Sequence, residues 1–135
     1  MTGVDISEEA INYAREHHNG PNFIQGMAED DYGPFDAVVS FETLEHLKDP
    51  LLALKNFEAP FLWASIPNEE KYPFSVERFK NDEYPHQRHY TPKEFDDLLR
   101  EGGYEVFERY AQKDKQGDIT RGTDGMFMIF GCRQI

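Results

Sequence analysis

The chain has 135 residues, 39% hydrophobic and 14% aromatic, which suits one domain with a packed core and is too apolar for a disordered segment. Asp and Glu number 26 against 14 Lys and Arg, a formal charge of −12, and that average field weighs against nonspecific contact with a nucleic-acid backbone. Cys132 is the one cysteine, so no internal disulfide can form; no run reaches the length of a membrane span, and the start lacks a basic-then-apolar leader, which together read as a soluble cytoplasmic protein.

In chain order, "TGVD" (Thr2–Asp5) predicts a short strand ending in a carboxylate. The next segment, "SEEAINYAREHHNGP", carries a helix signature: Ser7 as N-cap, Glu8 and Glu9 at the positive end, and Ala10, Ile11 and Ala14 on one apolar face. His17 and His18 suit the negative end as structural residues, and Asn19-Gly20-Pro21 stops the helix. "NFIQG" reads as a second strand and "FDAVVSF" (Phe35–Phe41) as a third, apolar enough to be covered by helices on both faces. Asp49-Pro50 supplies an N-cap and first-turn proline to a short helix, "LLALKNF", and "PFLWASIPN" is a fourth strand, with Trp63 read as core. Residues 69–90 read as an irregular insertion. In "TPKEFDDLLREGG", Thr91, Pro92 and Glu94 form a capping box with a first-turn proline, and Gly102-Gly103 is the stop. "YEVFERY" and "GMFMIFGCR" are adjacent strands, expected as an antiparallel pair at the edge of the sheet, with the last strand's Phe residues in the core. Strands alternating with helices imply an α/β domain with a mostly parallel sheet.

Three positions carry chemistry. Asp5 stands at the carboxyl end of a strand, where open α/β sheets bind ligands and where an acidic residue can receive ribose hydroxyls; taken alone, it reads more simply as helping to start the helix that follows. "GMAEDD" (Gly26–Asp31) follows the second strand and offers backbone N–H groups to a base edge. "FETLEHLKDP" places Glu42, Glu45 and His46 at i, i+3 and i+4, which on a helical turn would share one face and suit a divalent cation such as Mg²⁺, Mn²⁺ or Zn²⁺. The alternative is that Glu42 and Glu45 bond backbone or substrate while His46 caps a helix or acts as a base. Arg88 and His89 are candidates for a substrate mouth.

The order of "VDIS", "GMAED", "FDAVVSFETLEHLKDP", "SIPN" and "HYTPKEFDDLLREGGYEV" resembles the class I S-adenosylmethionine-dependent methyltransferases, with closest likeness to the branch of the ubiquinone-biosynthesis O-methyltransferases. The resemblance runs from Thr2 to about Arg133. It implies a Rossmann-like methyltransferase sheet, mostly parallel with an antiparallel C-terminal strand pair. S-adenosylmethionine is the implied cofactor, with Asp5 on its ribose, Ile6 at the adenine, Met27, Ala28 and Glu29 along the adenine edge, and Phe41 near the methionine part. Met27 stands where many relatives carry an acidic residue. The implied reaction is O-methylation of a small hydroxylated molecule, with His46 and Glu45 as catalytic residues. "PHQRHYTPKEF" is similar to the segment that gives a metal-binding histidine to small-RNA 3′-end 2′-O-methyltransferases, which implies a cation site of Glu42, Glu45, His46 and His86.

In that family a strand, a glycine-rich cofactor turn and a helix precede the strand that ends at Asp5. The sequence here reads as a single domain, 1–135, with that first strand and helix missing. Either the flanking strands pair directly, or a companion chain or second copy completes the sheet, or the chain is part of a longer product. The corresponding functional alternative is a non-catalytic or partner-dependent methyltransferase-like module.

Overall fold

A computed structural model describes residues 1–135 and contains two sheets. The smaller joins β1 (Thr2–Asp5) and β2 (Asn22–Gln25) in parallel, with α1 (Glu8–His17) as the crossover. Ser7 caps α1 as expected, its hydroxyl accepting from Ala10 N–H, and Ile11 is the buried position of the helix. His17 turns back to the Tyr13 carbonyl at 2.8 Å, in keeping with a structural role at the helix end.

The larger sheet has the order β3 (Ala37–Phe41), β4 (Phe61–Pro67), β7 (Phe127–Gln134), β5 (Tyr104–Gln112), β6 (Ile119–Arg121). β3 and β4 are parallel, and the remaining pairings are antiparallel. The expected C-terminal pair does form, but it is not at the edge in the way the sequence suggested. β7 lies inside, bonded to β4 and β5 on its two sides, and the short β6 hairpin makes the edge. A strand with neighbours on both sides must be apolar on its covered face, and Met128, Phe130 and Cys132 are all fully buried.

Alternation along β4 sends Leu62, Ala64 and Ile66 to one face of this sheet. There they meet α2 (Pro50–Asn56) through Ala53 and Leu54, and α4 (Pro92–Glu101) through Phe95 and Leu99, in one continuous core with Tyr104, Met128 and Phe130. α2 and α4 approach closely at Gly102, where a Cβ would stand 2.6 Å from the Leu54 Cβ. The Thr91–Glu94 capping box is present as read, both of its hydrogen bonds made, and contributes on the order of 1 kcal/mol to α4.

The opposite face carries no helix, and here the expectation of a third strand covered on both sides is corrected. Val39 is 63% and Phe41 54% exposed, and Phe61 on β4 is 49% exposed. The physical reason is placement: α1 packs on β1 and β2, which share no hydrogen bond with β3. Trp63 points to this same open face and is only partly buried, so it is not a core residue. It lies against Phe107 at 6.0 Å between ring centroids and across Gly131, where a Cβ would come within 2.7 Å of the indole. Phe127 is likewise only partly buried, whereas Phe130 is fully inside. No helix of the protein is long and apolar enough to cross a membrane.

The 69–90 insertion is more ordered than its composition suggested. It holds a one-turn helix, α3 (Val76–Phe79), and is tied to the end of β4 by an Asn68–Tyr90 bridge. Asn68 is fully buried and fully bonded, its amide donating to the Thr123 and Gly125 carbonyls and its side-chain oxygen accepting from Glu70 N–H.

Phe95 sits fully buried between α4 and the sheet, 5.0 Å from the Phe130 ring. Phe95→Ala is expected to cost about 3–5 kcal/mol in urea unfolding, with an unchanged denaturant slope.

Candidate active site

Each functional segment begins where a strand ends. β1 ends at Asp5, whose Oδ1 accepts from Ser7 N–H at 2.8 Å and so holds the turn into α1. Ile6 beside it is 48% exposed. After β2 the chain turns through Ala28 and Glu29. Tyr32 Oη donates to the Met27 carbonyl at 2.7 Å and the Asn56 amide donates to the Glu29 carbonyl at 2.6 Å, which pins the turn from both sides. Met27 N–H is taken by Asp30 Oδ2, whereas the Ala28 N–H has no acceptor within the chain. Met27 itself is 48% exposed.

β3 ends at Phe41, and the next residue breaks the expected pattern. Glu42 has φ of +49°, the left-handed region that side chains other than glycine rarely adopt, and the helical turn covers only Leu44–His46. Glu42 therefore does not share a helical face with Glu45 and His46. Its N–H bonds the Ser65 backbone, and its carboxylate accepts from the Ser65 hydroxyl at 2.8 Å, across to the end of β4. Glu42 and Phe41 instead line a cleft of about 370 Å³ on the open sheet face, with Ser65, Lys115, Ile119 and Ile129.

The remaining three residues of the expected cation set do converge. One ligand atom each from Glu45, His46 and His86 lies within 4.8 Å of the others. Glu45 is fully buried, and neither of its carboxylate oxygens has a hydrogen-bond partner. That is a costly arrangement for an anion. Burial first, and then the nearby Glu42 carboxylate, push the Glu45 carboxyl up to about 8. His46 Nε2 is 3.8 Å from Glu45 Oε1, while its Nδ1 meets the Tyr84 carbonyl at 2.8 Å. A neutral imidazole so placed carries its proton on Nδ1, which leaves the Nε2 lone pair facing Glu45.

His86 meets His46 edge to face at 4.5 Å and stacks on Phe79 at 4.0 Å. Burial, with smaller contributions from His46 and His89, lowers it to about 4. Asp5 is near enough to the Tyr84 phenol for its charge to act on it. Partial burial, Glu83 and then Asp5 raise the Tyr84 phenol, and the Tyr84 carbonyl is the one that orients His46.

His89 is not at a substrate mouth. Its side chain is enclosed by Tyr72, Phe74 and Phe79, and its Nδ1 faces the Tyr72 carbonyl. Arg88 stays on the surface, near the Lys48 carbonyl. The roles of Tyr72, Tyr84 and His89 around the cluster were not legible beforehand; the one available signal was the His-x-x-His spacing of His86 and His89.

A family model described as "Methyltransferase domain" matches residues 1–59. A SAM-dependent methyltransferase from Thermotoga maritima superposes with a TM-score of 0.82 at 23% identity, over 99% of this chain and 72% of that one. The fold is that of the S-adenosylmethionine-dependent methyltransferases. In the complex of the Haloferax volcanii Trm112 methyltransferase activator, the matching chain gives 0.77 at 19% identity, over 98% of this chain and 71% of that one. Magnesium protoporphyrin IX methyltransferase from Synechocystis, solved with bound SAH, gives 0.68 at 16% identity, over 99% and 64%. The chain thus spans roughly two thirds of the length of these methyltransferase-fold neighbours. No curated protein matches it.

The Glu45 carboxyl gives a test by linkage. Its folded value, about 8, lies above its ordinary 4.5, so the stability it contributes is present below pH 4.5 and is lost as pH rises through 8. In chelating buffer the melting temperature of Glu45→Gln should exceed that of the parent by a margin that opens above pH 4.5 and levels off beyond pH 8. A margin independent of pH would place the Glu45 carboxyl in an ordinary, solvated setting.

Proposed function

We propose that this chain transfers the methyl group of S-adenosylmethionine to a hydroxyl oxygen of a small acceptor. The observation that carries the reading is the meeting of Glu45, His46 and His86 beside the Tyr84 segment in a methyltransferase fold. Asp5 receives the ribose hydroxyls, Ile6 borders the adenine, and the Met27–Glu29 turn meets its edge through the free Ala28 N–H. Phe41 borders the methionine part.

In the reaction the acceptor oxygen attacks the sulfonium methyl carbon. The new C–O bond forms as the C–S bond breaks, and S-adenosylhomocysteine leaves with the sulfur's electron pair. The hydroxyl proton passes to His46 Nε2, whose Nδ1–H is fixed on the Tyr84 carbonyl, and the Glu45 carboxylate, which forms as pH rises through about 8, stabilises the imidazolium that results. The donor set also fits a divalent cation, because Glu45 is buried with both oxygens unpartnered. Glu45, His46 and His86 would hold it, with Glu42 outside the set, and when bound it would supply Lewis acidity toward an acceptor oxygen.

A second reading is favoured by the separation of the two sheets: a module that needs a companion chain or a second copy. β1–β2 is an isolated two-stranded unit, marginal alone, and β3 offers an open edge flanked by exposed Val39 and Phe41. The Haloferax neighbour, which was solved with an activator, gives this reading a parallel.

Calorimetry with S-adenosylmethionine, light scattering, and mass-spectrometric detection of S-adenosylhomocysteine with hydroxylated acceptors separate the two. Asp5→Ala should weaken cofactor binding at least tenfold, and His46→Gln should lower turnover by roughly 10²–10⁴ with little change in affinity. A monomer that takes up no cofactor at millimolar concentration supports the companion-dependent module instead.

A further inference from the structure

The histidines of the insertion form a chain whose proton positions can be deduced. His89 Nδ1 lies 2.6 Å from the Tyr72 carbonyl and 3.9 Å from Glu69 Oε2. Both are acceptors, so this nitrogen carries a proton. The Tyr72 carbonyl is itself fixed, because Tyr72 N–H donates to the Asn68 carbonyl at 2.7 Å and Asn68 is anchored to the Thr123–Gly125 turn. The His89 side chain is sealed from solvent, with no carboxylate oxygen within hydrogen-bond distance, which keeps its ring neutral with a single proton; a neutral His86 likewise has one proton to place. His89 Nε2 is then an acceptor, and it lies 2.7 Å from His86 Nδ1. His86 must donate across that contact. Its own proton sits on Nδ1, and its Nε2 keeps a free lone pair.

We propose that His89 is a positioning residue: it locks His86 in the Nδ1–H tautomer, so that the His86 Nε2 lone pair is offered to the site shared with Glu45 and His46. The inference rests on reading those three residues as a cation-binding set. An unconstrained histidine side chain in water favours the Nε2–H form, so the chain Tyr72 carbonyl–His89–His86 works against an intrinsic preference. His46 is locked in the same sense by the Tyr84 carbonyl, and both histidines thereby present the same kind of nitrogen beside an unpartnered carboxylate. Outer hydrogen bonds of this type fix the tautomer of ligating histidines, and losing one costs about 10–100-fold in metal affinity. The aromatic enclosure of Tyr72, Phe74 and Phe79 keeps water from competing for the His86–His89 bond.

The test uses ¹⁵N-histidine NMR of the full chain at neutral pH, followed by Co²⁺ titration monitored by visible absorption. In the parent protein His86 should show a protonated Nδ1 and an unprotonated Nε2. His89→Leu should return His86 to the Nε2–H form and weaken Co²⁺ binding about 10–100-fold. His89→Gln retains an acceptor for His86 and should restore the parent tautomer and most of the affinity. An Nε2–H tautomer for His86 in the parent overturns the inference, and needs no variant to fold. So does parent-like Co²⁺ affinity in a folded His89→Leu with His86 unchanged. If the parent shows the Nδ1–H tautomer yet takes up no Co²⁺, the tautomer lock stands and the cation-binding reading fails.

Discussion

A carboxylate with no hydrogen-bond donor, sealed at the end of a strand, is the constraint around which this end of the molecule is organised. Glu45 cannot be left as a bare anion there; it must hold a proton or face a cation. Its neighbours answer that requirement from different parts of the chain. His46 comes from the same 3-10 turn, His86 from the insertion, and Glu42 from the strand end adds repulsion instead of relief. The two histidines turn unprotonated nitrogens inward because backbone carbonyls and a third histidine occupy their outward ones.

The fold supplies this arrangement by packing one face of its larger sheet and leaving the other open. α2 and α4 bury Leu62, Ala64, Ile66, Met128 and Phe130, which fixes β3 and β4 in register, sets Phe41 opposite Ser65 and brings the Glu42 carboxylate within reach of the Ser65 hydroxyl. From the end of β4, Asn68 ties the insertion to the β6–β7 turn, and through Tyr72 that rigidity reaches His89 and His86. The cluster is therefore anchored to the best-packed part of the molecule, although its residues lie in loops.

The end of the molecule that carries Asp5 is built differently. Asp5 and the Met27–Glu29 turn belong to the β1–α1–β2 unit, which is joined to the larger sheet by contacts such as Asn56 to the Glu29 carbonyl and by no strand pairing. An open edge at β3 and exposed Val39, Phe41 and Phe61 leave a sizeable apolar surface next to the site. That surface favours readings in which cofactor binding and completion of the sheet are coupled.

Much of this was written in local sequence. The cap of α1 at Ser7, the capping box at Thr91 and the strand ends at Asp5 and Phe41 depend on residues a few positions apart, so neighbouring side chains and backbone alone specify them. Even the grouping of Glu45 with His46 follows from adjacency. Glu42 left the group because its carboxylate found Ser65, 23 residues away, and the chain accepted a positive φ to reach it. The tautomer of His46 depends on a carbonyl 38 residues distant, and that of His86 on a ring whose own proton is set by Tyr72. The position of β7 inside the sheet and the bareness of its second face are likewise outcomes of long-range pairing. Periodicity and capping report what a segment does with itself; which donor meets which acceptor across the molecule is decided only when the segments pack.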